Sequence, residues 1–257
     1  MQQIPDRGPA AYVAELVGTF ALVFAITMVV VNFVPPPTPA TTPGAPPIQA
    51  FQDFAVVGLV HAFALFFLIQ TLAFMSGAHF NPAVTLAMTA ARQIKPIDSV
   101  IYVLMQLVGG VLGALTTQAL VADDVGDPAN WGAVGLASSV DKTVEGMGAE
   151  AIGTFFLVWA IMGVAVNPSA VKDWSGLVIG ATLGMAVMII APLTGAGFNP
   201  ARALGPAIIG EAFNGVGKWL LIYVLAPALG AVIAVFLYQW LAVTSGKKGP
   251  QGAEPVG

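Results

Sequence analysis

The chain predicts an all-α membrane protein in which six transmembrane helices and two re-entrant half-helices form an inverted repeat. Three observations carry that prediction. Composition is the first: of 257 residues, 57% are hydrophobic and only 9% charged, with a mean hydropathy of +0.85, far from the balance of a soluble domain. The second is a duplicated motif, Ser76-Gly77-Ala78-His79-Phe80-Asn81-Pro82-Ala83-Val84-Thr85 against Thr194-Gly195-Ala196-Gly197-Phe198-Asn199-Pro200-Ala201-Arg202-Ala203. The third is that further matched blocks flank the two copies in the same order. Ala14-Glu15-Leu16-Val17-Gly18-Thr19-Phe20 pairs with Ala149-Glu150-Ala151-Ile152-Gly153-Thr154-Phe155, and Tyr102-Val103-Leu104 with Tyr223-Val224-Leu225. Three paired blocks in one order mark an internal repeat.

Composition also bounds function. The net charge of −4 has no basic patch behind it, so nucleic acid is not an expected partner. The absence of cysteine excludes disulfides, thiol redox chemistry and thiolate metal sites. Two histidines are too few for a metal centre, and no cofactor is expected.

A polar lead containing Arg7 precedes an apolar span from Ala10 to Val34, which is too long for the core of a signal peptide and reads as a retained helix. Residues 35–47 hold seven prolines and form an extended connector. Asp53 to Met75 is the second span, long enough for a hydrocarbon core of roughly 30 Å. Pro82 to Gln93, at about 18 Å, crosses only half of it. Ile97 to Ala122 is the third span, with Gly109, Gly110 and Gly113 allowing close helix approach. Asp123 to Glu145 is polar and reads as an external loop. Met147 to Val166, Trp174 to Leu193 and Lys218 to Val243 complete the six, with a second half-helix from Pro200 to Gly210 that Gly205-Pro206 should kink or end early. The whole of 1–257 is thus one membrane domain: first repeat 1–122, connecting loop 123–146, second repeat 147–243 and tail 244–257.

Three spans per half is an odd number, so the second half enters the bilayer upside down and the two Asn-Pro helix starts face each other near the midplane. Arg7, Arg92, Lys95, Lys172, Lys247 and Lys248 fall on one side of this topology, and only Lys142 and Lys218 in loops on the other. The positive-inside rule then makes both termini cytoplasmic in a multi-pass protein of the cell membrane.

Each motif is chemically a helix start, with Asn as N-cap and Pro at the first helical position. Non-helical backbone at membrane depth survives only when buried in protein or lining a watery cavity. Two helix N-termini meeting there supply roughly half a positive charge each and repel cations. Asn81 and Asn199 add amide donors for a passing water. Arg202, one turn into the second half-helix, is a permanent charge inside the membrane with no acid beside it in sequence. Glu15 and Glu150 admit two readings, a proton relay or acceptors for the bent backbone of the re-entrant loops. His79 is structural or part of a pore wall, and His61, alone in an apolar helix, reads first as a satisfied core histidine.

With the twin Asn-Pro-Ala motifs and a Glu in the first and fourth helices, the chain resembles the aquaporin, or major intrinsic protein, family from Ala14 to Tyr238. The resemblance implies a right-handed six-helix bundle with two re-entrant half-helices, one pore per subunit and a homotetramer. It implies no enzymatic activity, but passive conduction of water, with small neutral solutes such as ammonia, hydrogen peroxide and urea and with ions and protons excluded. Asn81, Pro82, Ala83, Asn199, Pro200 and Ala201 match the family's pore motifs. His61, Val187, Ala196 and Arg202 match its constriction, in a pattern closest to the tonoplast intrinsic proteins. Glu15, Glu150 and His79 match its loop supports. A glycerol-type facilitator is the alternative, although Ala203 stands where such proteins carry an aspartate. A proton-coupled transporter is the alternative of another class, since inverted repeats serve those as well.

Overall fold

The computed structural model describes residues 6–35 and 52–245. Nearly all of the proline-rich connector, the first five residues and the tail from 246 with Lys247 and Lys248 lie outside them. The described residues form α1 (Pro9–Phe33), α2 (Phe54–Ser76), α3 (Pro82–Ala90), α4 (Pro96–Leu120), α5 (Asp123–Gly126), α6 (Thr143–Ile161), α7 (Ser175–Thr194), α8 (Pro200–Ile209), α9 (Val216–Leu220) and α10 (Ala226–Thr244). Two π-helical turns, Met162–Val166 and Leu221–Leu225, extend α6 and join α9 to α10. Six helices are then long and apolar enough to cross a membrane: Pro9–Phe33, Phe54–Ser76, Pro96–Leu120, Thr143–Val166, Lys172–Thr194 and Val216–Thr244.

Polarity is distributed inside out relative to a soluble protein. Glu15, Thr19, Gln106, Glu150 and Thr154 have no exposed surface, whereas Phe63, Phe67, Phe74, Leu104 and Phe236 are each more than half exposed. Hydrocarbon solvates the outer phenyl rings at no cost, while polar groups must find partners within the bundle.

The packing follows the repeat. α1 lies on α4 as α6 lies on α10, and α2 pairs with its counterpart α7. The half-helices cross over, α8 of the second half packing on α4 and α3 of the first on α10. Glycine permits this at the tightest crossing: a Cβ on Gly110 would lie 2.4 Å from the Ala201 carbonyl oxygen, and one on Gly205 2.3 Å from that of Gly110. Backbone therefore meets backbone where α4 and α8 touch.

Three sequence expectations need correction, and the reading of the connecting loop gains a detail. The fourth span opens at Thr143 rather than Met147, because Glu145 folds back to accept from the Lys142 N–H at 3.3 Å and caps the helix four residues early. The first half-helix stops at Ala90, short of Gln93, where Arg92 takes a left-handed φ of 56°. Gly205-Pro206 does not end α8, which continues to Ile209; Gly205 serves the contact with α4, and the Gly210 N–H still reaches the Pro206 carbonyl at 2.9 Å. The connecting loop is not wholly solvated. Trp131 is 2% exposed, with its indole N–H donated to Asp127 at 2.8 Å, and the loop dips into the bundle.

Candidate functional site

Both motifs fold into the same bent loop. φ is positive at Gly77, Ala78 and Phe80 in the first copy, and at Gly195, Ala196 and Phe198 in the second. A left-handed alanine or phenylalanine costs roughly 1–2 kcal/mol, so something must compensate. In the first loop the His79 and Phe80 N–H groups both donate to the Glu15 carboxylate, at 3.0 and 2.7 Å. In the second the Gly197 and Phe198 N–H groups donate to Glu150, at 2.8 and 2.7 Å. Bonds to a buried carboxylate stabilise by about 1.5–3 kcal/mol each, enough to hold the bend. Gly18 and Gly153 complete the arrangement: a Cβ on either would collide at 2.1 Å with the Phe80 or Phe198 ring, respectively. Each small residue on a spanning helix thus seats the aromatic that anchors its loop.

Asn81 and Asn199 do two jobs each. As N-caps, their Oδ1 atoms accept from the Ala83 N–H at 2.9 Å and the Ala201 N–H at 3.0 Å, with Pro82 and Pro200 in the first turn. Their amide groups reach across the pseudo-twofold axis, Asn81 Nδ2 donating to the Phe198 carbonyl at 2.9 Å and Asn199 Nδ2 to that of Phe80 at 2.8 Å. This cross-bracing takes one N–H of each amide and leaves the second for the interior. Sequence reasoning saw the donors but not the brace.

Between the halves runs a cavity of about 490 Å³, walled by His61, Asn81, Asn199 and Arg202 together with apolar side chains such as Leu22, Ile26, Leu65, Leu157 and Leu183. Its lining thus combines amide, imidazole and guanidinium groups with hydrocarbon side chains. His79 and Gly197 also border this space, whereas Val187 and Ala196 are buried, at 1% exposure each, outside its wall. Ala83 and Ala201 are buried behind the caps.

Arg202 is 2% exposed, and its Nη1 donates to the Gly132 carbonyl at 2.9 Å, while Nε has no partner. Gly132 was not anticipated; nothing in the spacing of the connecting loop distinguishes it. Its carbonyl is aimed inward by consecutive positive φ values at Asn130, Trp131 and Gly132. His61 lies on α2, its Nδ1 2.8 Å from the Val57 carbonyl, and its Nε2 is buried without a partner. A carbonyl only accepts, so the proton sits on Nδ1 and Nε2 presents a lone pair. A cation and an acceptor therefore border one passage. Among the described residues no group of three or more His, Cys, Asp or Glu could hold a metal ion.

The two loops also differ. Gln106 Nε2 donates to Glu15 at 2.7 Å and to Thr85 Oγ1 at 2.9 Å, and Thr85 Oγ1 lies 3.2 Å from His79 Nδ1. In the second copy Ala203 and Gly197 take the places of Thr85 and His79. Glu150 receives instead the Thr194 hydroxyl at 2.6 Å.

Comparison with known proteins agrees with this geometry. The sequence profile of the family described as "Major intrinsic protein" matches residues 7–238. The "Probable aquaporin AqpM" of Archaeoglobus fulgidus is 37% identical over 90% of this chain and 96% of its own length. The "Glycerol uptake facilitator protein-like 6" of Lactiplantibacillus plantarum is 34% identical over 88% and 94%. The aquaglyceroporin from Plasmodium falciparum superposes with a TM-score of 0.73 at 22% identity, covering 89% of this chain and 94% of that one, which shows the shared fold. Profile, relatives and fold agree over nearly the whole length, and the chain belongs to the major intrinsic protein family.

Proposed function

We propose that this multi-pass channel conducts water, and with it ammonia, hydrogen peroxide and urea, while rejecting ions and protons. One observation carries the reading: a cavity that His61, Asn81, Asn199 and Arg202 from both halves line together with hydrocarbon side chains. A water held through its oxygen by the free N–H groups of Asn81 and Asn199 turns its own protons outward, which interrupts a proton-conducting chain. The N-termini of α3 and α8 disfavour cations, and so does the Arg202 guanidinium. Neutral solutes can accept from Arg202 and donate to His61 Nε2. Val187 and Ala196, which match the family's constriction, sit behind the wall of this cavity and in this reading add no bulk beside His61 and Arg202.

Glycerol transport is the second reading, favoured by the name of the Lactiplantibacillus relative; Ala203 in place of an acid beside Arg202 weighs against it. Glu15 and Glu150 act as loop supports, each already engaged by three donors, which leaves little capacity for a proton relay. The channel works as a homotetramer in the cell membrane with both termini cytoplasmic, following the family resemblance and the asymmetry of Lys and Arg.

Stopped-flow measurement on proteoliposomes with water, urea, ammonia and glycerol tests the reading. Flux should be linear in the gradient and indifferent to membrane potential. Val187→His exchanges this small buried side chain for a ring long enough to reach the passage and should cut urea and ammonia flux more than water flux; equal losses, or no solute flux in the parent, would reduce the protein to a water-only channel.

A further inference from the structure

We propose that the mouth of the conduit on the side of the chain termini is a binding site for a small oxyanion, centred on Arg7, and that an anion seated there slows permeation. The inference rests on reading the cavity as the conduit. The charged side chains bordering that cavity are Arg7, Lys172 and Arg202, with no Asp or Glu among the described residues, although the chain as a whole is acidic. Arg7 lies just before the first span and Lys172 opens the fifth, both at the terminal side, so two cations share one mouth with no carboxylate on its wall among the described residues; Asp6 and Asp98 are engaged by Lys95 and Tyr12.

Lys172 is fixed there: its Nζ donates to the carbonyls of Val164, Ala165 and Asn167. With three N–H bonds engaged, it contributes charge but no free donor. Arg7 is the converse. No acceptor within the described residues takes its guanidinium, and Nε is buried without a partner. The arm that carries it is nevertheless pinned, by an ion pair between Asp6 and Lys95 and by the Tyr12 hydroxyl near the Arg7 carbonyl at 3.1 Å, with Asp98 as a second acceptor at 2.6 Å. A held cation with unused donors is poised for a ligand rather than free to find a partner.

A second donor converges with it. The point a Cβ on Gly77 would occupy lies 3.7 Å from Arg7 Nη2 and 3.6 Å from His79 Nε2. Thr85 Oγ1 accepts from Gln106 and can give its proton to His79 Nδ1, which leaves Nε2–H directed to the mouth. Glycine keeps the space between these nitrogens free of a side chain. A tetrahedral oxyanion there would receive both donors and obstruct the mouth of the passage. Free phosphate and the phosphodiester headgroup of an anionic lipid share this chemistry.

The test uses the full chain in phosphatidylcholine proteoliposomes, with water permeability read while inorganic phosphate replaces chloride at constant osmolarity and ionic strength. Permeability should fall saturably, and Arg7→Gln should need about tenfold more phosphate for the same fall, whereas Arg7→Lys should keep most of the effect. Phosphate-free vesicles containing phosphatidylglycerol form the second arm; an Arg7-dependent loss there assigns the headgroup as the source. Line broadening of the phosphate ³¹P signal by the detergent-solubilised chain, lost in Arg7→Gln, reads the site without reference to flux. No Arg7-dependent loss in either arm together with no broadening overturns the proposal, as does an equal phosphate effect in parent and Arg7→Gln. A phosphate-free permeability no higher than that of empty vesicles would instead sink the channel reading, so the two failures are distinct.

Discussion

Arg202 is a buried charge at membrane depth, with one carbonyl partner in Gly132 and, among the described residues, no carboxylate in an ion pair with it. Such a residue persists where the remaining N–H groups meet water, which is what the adjoining cavity provides. Arg202→Val should leave water permeability within a few-fold of the parent and raise proton or cation leak, measured as dye-reported pH equilibration in vesicles; an unchanged leak would show that the opposed helix ends suffice by themselves. Arg202 was legible in the sequence because a permanent charge among apolar residues stands out. Its partner was not, since any residue offers a carbonyl and only the tertiary path through Asn130 and Trp131 aims this one inward. His61 shows the same division. Its position could be read, but the unpartnered Nε2 required the Val57 contact to be seen.

At the scale of elements, the spans were legible from hydropathy and the half-helix starts from Asn-Pro, because both signals are local. Helix ends were less so: α8 carries Pro206 in its interior, since tight seating on α4 outweighs the lost N–H. That seating leaves no room for a methyl group. Gly110→Ala would press a Cβ against the Ala201 carbonyl at 2.4 Å, a backbone atom that cannot rotate aside, whereas a Cβ on Gly148 meets nothing within 4 Å. Gly110→Ala should therefore destabilise by about 1–3 kcal/mol and reduce flux, while Gly148→Ala, in the first turns of α6, should be neutral or stabilising by up to about 1 kcal/mol. Thermal unfolding of the two variants in detergent checks the contrast. Equal behaviour would mean that α8 can move away from α4 without loss.

For the molecule as a whole, the repeat supplies a symmetric frame and a few residues break it. Glu15 and Glu150, Phe80 and Phe198, and Tyr102 and Tyr223, whose hydroxyls donate to the carbonyls of Ser76 and Thr194 at 2.8 Å each, are equivalent by position and by the backbone groups they hold or seat. His79 against Gly197, Thr85 against Ala203 and Val84 against Arg202 are not, so charge and donors are unequal along the conduit while the centre stays symmetric. At that centre two helix N-termini together amount to roughly one positive charge, and the Asn81 and Asn199 that cap them carry none. Asn81→Asp tests whether this field is a barrier. Its retained oxygen still caps Ala83, but its second oxygen faces the Phe198 carbonyl in place of a donor, so stability should fall by about 1–3 kcal/mol. The added negative charge offsets the field of the helix ends. Potassium leak, read by a potential-sensitive dye in vesicles, should therefore rise while water still passes. A folded, water-permeable Asn81→Asp variant as tight to potassium as the parent would place the cation barrier at Arg202 and not at the helix ends.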